Sequence, residues 1–132
     1  RFDQWKAIQP LLTEQFRVVS EDTFYSILPT ATQYARNAIF SGLMPIEIQR
    51  KFPQHWKNDD DEGGKNLSEE LFLQYQLKQH GLAHIKYSFT KVLHHNDGQQ
   101  LVANIHNLLN NELNVIVYNF VDMLSHARTE ME

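Results

Sequence analysis

Three observations predict an α/β layered fold with a mainly parallel sheet. Segments of strand character alternate with segments of helical periodicity along the chain. The run from Val115 to Val121 is β-branched, aromatic and nearly continuous in apolarity, the pattern of a strand buried on both faces. No internal repeat or low-complexity tract points to a solenoid or a disordered chain.

The elements follow in order. Phe2, Trp5, Ile8, Leu11 and Leu12 recur at helical spacing, which predicts an amphipathic helix over Phe2–Glu14, with Pro10 marking a kink or restart. Arg17-Val18-Val19 is a short strand-like run, and Phe24–Leu28 is another that ends at Pro29. From Ala31 to Ser41 the apolar spacing is helical, and Gly42 is placed to cap that helix. Lys57–Asn66 is polar, acidic and glycine-bearing, a loop. Ser68 is a good N-cap for a helix running to His80, and Gly81 stops it. Ile85–Leu93 alternates as a strand does. Asp97 caps a predicted helix through Leu109, Asn110–Asn114 is a turn, and the apolar strand follows.

Composition narrows the function. Hydrophobic residues make up 42% and charged residues 21%, and no apolar run approaches the ~20 residues of a membrane span. A net charge of −4 argues against an extended nucleic-acid surface. The absence of cysteine excludes thiolate zinc sites and fits a reducing, cytoplasmic setting. Seven histidines and many carboxylates leave a His/Asp metal site open.

Two constellations carry chemistry. Asp122 stands at the carboxyl edge of the apolar strand, and His126 follows four residues later. Ligands of open α/β sheets bind at this edge. If a helix begins here, that spacing puts a carboxylate and an imidazole on one face, able to share a divalent ion. The plainer reading is a capping aspartate and a surface histidine. In Leu28-Pro29-Thr30-Ala31-Thr32, a strand-like run gives way to a helix that opens with threonines. A hydroxyl there lies at the positive end of the helix dipole, which favours an alkoxide or a phosphoryl oxyanion. The plainer reading is N-capping by Thr30 or Thr32. Arg36, one turn on, can pair with a phosphate or with an acidic side chain. Consecutive carboxylates in Asp59–Glu62 lack the alternation of a calcium loop and read as a solvated loop.

Three segments occur together: Arg1-Phe2-Asp3-Gln4-Trp5; Leu28-Pro29-Thr30-Ala31-Thr32 running on to Phe40-Ser41-Gly42; and Tyr118-Asn119-Phe120-Val121-Asp122-Met123-Leu124-Ser125-His126. In this order they resemble the PglZ domain of the alkaline phosphatase superfamily, most closely in response regulators of the PorX type, which join a receiver domain to a PglZ effector. The resemblance spans essentially the whole chain. Its most specific part is P-T-x-T followed by A-R and F-S-G.

The resemblance implies a partial alkaline-phosphatase-like α/β/α fold over residues 1–132, with a receiver domain upstream and the rest of the catalytic domain downstream. It implies Thr32 as nucleophile, Asp122 and His126 as metal ligands, and two zinc ions in the intact domain. Arg36 and Asn37 are the expected phosphate contacts. The expected activity is that of a cytoplasmic two-component effector hydrolysing a phosphate ester, with a nucleotide-type diester as first choice. A further ligand aspartate is expected before Arg1, and a D-H-G motif and a last histidine after Glu132. The site is therefore expected to be incomplete in this stretch, and cut sheet edges to invite oligomerisation. The alternative is an inactive regulatory module that dimerises or binds a protein partner.

Overall fold

The computed structural model describes residues 2–58, 61, 64 and 66–119. Asp122, His126 and the last residues of the predicted apolar strand lie outside the described residues, as does most of the acidic loop.

The first helix, α1, spans Phe2–Thr13 and contains Pro10 without ending there. Its apolar stripe is not packed: Phe2, Ile8 and Leu11 are exposed, and no residue of α1 is buried. Polar contacts hold it instead. Glu21 accepts hydrogen bonds from Trp5 Nε1 at 2.6 Å, Lys6 Nζ at 2.6 Å and Gln9 Nε2 at 3.0 Å. These partners hold the Glu21 carboxyl below its ordinary value, the Lys6 hydrogen bond first and that of Trp5 next. The two strand-like runs, Arg17–Val19 and Phe24–Leu28, form no strand. β propensity is realised only against a partner strand, and here Val19, Phe24, Tyr25 and Leu28 face solvent.

Helix α2 spans Thr32–Ser41 and ends as predicted: Gly42 adopts φ +67°, and its N–H bonds the Ala38 carbonyl. A Cβ at Gly42 would meet the Gln76 side chain at 3.1 Å. Ser41 Oγ accepts from Leu43 N, so the F-S-G tripeptide is a turn device. Helix α3, Pro45–Lys51, is an element the periodicity did not predict. Proline at its first position suits a helix start, and Glu47 reaches back to the Met44 N–H at 2.8 Å. Helix α4 spans Glu69–Gln79. Ser68 occupies its N-cap position without a capping bond, its hydroxyl lying instead 3.1 Å from His55 Nδ1.

Strands β1, Tyr87–Val92, and β2, Leu113–Tyr118, pair in parallel, with Phe89 opposite Val115 and Lys91 opposite Val117. Between them runs α5, His95–Ala103, which makes a β-α-β unit. Asp97 starts α5 from inside its first turn, accepting from His94 N at 2.9 Å and Leu93 N at 3.0 Å. Those two bonds depress its carboxyl pKa, that from His94 most. The predicted helix to Leu109 breaks at Asn104, whose side chain donates to the Gln100 carbonyl, and a 3₁₀ turn over Ile105–Asn110 follows.

The layers follow from strand alternation. Phe89 packs edge-on against Phe40 of α2, and Lys91 reaches Glu69 of α4. On the opposite face, Val92 and Tyr118 lie close to Gly98 of α5. The sheet therefore lies between α2 and α4 on one side and α5 on the other. The expectation that the last strand is buried on both faces is corrected: Ile116 and Tyr118 are about half exposed, whereas Val117 is buried. The helices pack around Ile48, Trp56 and Phe72, with Tyr34 stacked on Trp56 and Phe52 tilted against Phe72.

Candidate active site

A proline and a helix start build the first half of the site. The Leu28–Pro29 bond is cis. Three residues on, α2 begins with Thr32 as its first helical residue. The N-cap position falls on Ala31, and no side-chain hydrogen bond caps the helix. Capping therefore does not occupy the Thr32 hydroxyl. Thr32 is exposed and opens on a cleft of about 560 Å³, lined by Ser26, Thr30, Thr32, Arg36 and Asn119 together with Gln4 and Ala35. Asn119 directly follows β2, so the cleft lies at the carboxyl end of a parallel strand. Gln4 brings α1 to its rim.

Arg36 stands four residues after Thr32, on the same face of α2. Its Nη1 donates to Asn119 Oδ1 at 2.7 Å, and its Nη2 donates to Glu69 Oε2 at 2.7 Å. Nε lies 2.7 Å from Glu69 Oε1, an ion-pair contact that makes no hydrogen bond. Glu69 is completely buried and has a second cation, Lys91 Nζ, 2.7 Å from Oε2. Lys91 also donates to the Asn66 carbonyl. Arg36 thus meets the acidic side chain that the sequence allowed for, while its guanidinium still lines the cleft.

Asn37 has a different setting. It is 2% exposed, lies 3.4 Å from Asn66 Nδ2, and is not among the described residues lining the cleft. The structure thus brings Thr32 and Arg36 together. Glu69, Lys91 and Asn119 join them, and sequence reasoning had singled out none of the three. Ser68-Glu69-Glu70 reads as an ordinary acidic helix start; only the fold shows that Glu69 turns inward while Glu70 stays exposed.

Among the described residues, no three His, Asp or Glu side chains gather as a metal site. The described part of the chain does not fit a zinc ion by itself. Among the described residues, no helix is long and apolar enough to cross a membrane.

The molecule is a layered α/β domain with a helix-borne hydroxyl and a held guanidinium at the carboxyl end of a parallel strand. Over residues 1–132 it matches the family model described as the BREX system PglZ alkaline phosphatase-like domain. The chain belongs to the PglZ family, and its fold is of the phosphoesterase type. No curated protein matches it.

Proposed function

We propose that this domain hydrolyses a phosphate ester with Thr32 as nucleophile. The observation that carries the reading is the placement of Thr32, exposed at the first residue of α2, uncapped, and in one cleft with Arg36. Attack by its oxygen on phosphorus expels the ester alkoxide and leaves a phosphothreonine, which water then hydrolyses. Arg36 offers a planar donor fork suited to phosphoryl oxygens. No described residue of the cleft wall is a His, Asp or Glu that could take the Thr32 proton. On the sequence resemblance we assign the metal-ligand role to Asp122 and His126, with zinc as the proposed ion and two ions in the intact site. Zinc would supply Lewis acidity. The burial of Asn37 gives no support to its contact with substrate. A nucleotide-type diester, cytoplasmic location and control by a receiver domain complete this reading; they rest on the sequence resemblance.

Thr32→Ala in the intact, zinc-supplied protein should abolish hydrolysis of a generic phosphodiester while zinc content is unchanged. Turnover at the unaltered rate in that variant would sink the assignment.

A second reading has an observation of its own. Phe24, Tyr25 and Leu28 are 86%, 102% and 86% exposed on one short segment. Such a cluster fits a module that dimerises or binds a protein partner instead of acting as a catalyst. An intact protein without zinc and inert toward phosphodiesters would favour it.

A further inference from the structure

The buried ionic cluster behind the cleft has a charge that its setting does not require. Arg36 and Lys91 both contact Glu69, so among the described residues two cations share one carboxylate and the cluster carries one net positive charge. A lone Arg36–Glu69 pair would be close to neutral toward an incoming anion. A buried pair also costs desolvation, so stability alone gives little reason to bury a second cation beside it. Both cations keep part of their side-chain surface exposed, 21% for Arg36 and 24% for Lys91, but they differ toward the cleft. Lys91 does not line the cleft, whereas Arg36 does. Two anchors fix the guanidinium there: Glu69 on α4 and Asn119 after β2. An arginine held on two sides loses little conformational entropy when it takes up a ligand.

We propose that Glu69 and Lys91 are positioning residues that hold Arg36 as a net-cationic subsite for a phosphoryl oxyanion beside Thr32. Glu69 fixes the orientation of the guanidinium. Lys91 offsets the Glu69 charge, so Arg36 keeps its attraction for an anion. The proposal rests on the phosphate-ester reading and adds two residues that never touch the substrate.

The probe is inorganic phosphate, titrated calorimetrically into the intact, zinc-supplied protein and its variants. KM and kcat on a generic phosphodiester, and the melting temperature, are measured in parallel. Lys91→Gln removes the excess charge and leaves the Arg36–Glu69 contact in place. It should weaken phosphate roughly tenfold and raise KM similarly, with a smaller change in kcat, as loss of one nearby unit charge does. Lys91→Arg should restore affinity. Glu69→Gln should weaken phosphate and also lower kcat, because the guanidinium loses its anchor. If Lys91→Gln lowers only the melting temperature, with phosphate affinity and KM unchanged, the cluster is structural and the proposal is overturned. Failure of the unaltered protein to bind phosphate also overturns it. Thr32→Ala keeps the two claims apart. Phosphate binding that responds to Lys91, in a protein whose turnover ignores Thr32, upholds the subsite and rejects the nucleophile.

Discussion

Replacing Glu69 by Gln removes the only described carboxylate that Arg36 and Lys91 share. Both cations are three-quarters buried, with 21% and 24% of their side-chain surface exposed, so water compensates only partly. Breaking a buried pair by deleting one partner costs about 3–5 kcal/mol, and the residual exposure puts the expected loss near the lower figure, ~3 kcal/mol. For a chain of this size each kcal/mol corresponds to roughly 3–5 °C, so the midpoint should fall by about 10 °C or more. Urea unfolding followed by fluorescence of the buried Trp56 measures it, with an unchanged slope showing that only stability moved. The sharper test is a cycle. In Glu69→Gln/Lys91→Gln one uncompensated cation is gone, so the double variant should be more stable than the sum of the single losses by at least about 1 kcal/mol. Strictly additive losses, or a Glu69→Gln loss below about 1 kcal/mol, would refute the picture of two cations held by one buried carboxylate.

Two further outcomes follow from local geometry. Gly42→Ala puts a Cβ on a left-handed residue and 3.1 Å from Gln76, so it should destabilise the protein by about 1–2 kcal/mol, read from the thermal midpoint; an unchanged midpoint would show that the turn relaxes freely. The depressed Glu21 carboxyl stabilises the α1 attachment above its unfolded pKa, and that contribution fades as pH falls through the folded value. In a Trp56→Phe background, Trp5 emission should therefore change on acidification below about pH 4.5 and stay flat in the same range once Glu21→Gln is added.

The sequence made the local signals legible. Gly42 after Ser41, alternation over β1 and the parallel pairing of two apolar runs all rest on neighbours a few residues apart, or on strand patterns that survive any packing. Thr32 was legible for the same reason, since a proline, a helix start and a hydroxyl are adjacent in sequence. Signals that depend on partners failed. The runs at Arg17–Val19 and Phe24–Leu28 have strand composition but no described strand beside them. α3 is only seven residues long, too short for periodicity to register, and is set by Pro45 and Glu47. At Asn104 the α5 helix gives way to a 3₁₀ turn, with both the backbone N–H and the side-chain amide of Asn104 on the Gln100 carbonyl.

Glu69 shows where that boundary falls. Nothing in S-E-E separates its two glutamates: both suit the first turn of α4, where the helix dipole favours a carboxylate. What separates them is the sheet. Lys91 and Phe89 share one face of β1, and that face packs on the α2–α4 layer, so the helix start nearest Lys91 is drawn into the interior. Arg36 and Lys91 are 55 positions apart in sequence and come together only through Glu69, because α2 packs on α4 and α4 lies over Lys91 of β1. A charge cluster assembled from three elements has no sequence signature of its own. The Thr32 hydroxyl at a helix start and Arg36 one turn on can be read from the sequence, but the buried carboxylate that holds Arg36 depends on the tertiary fold.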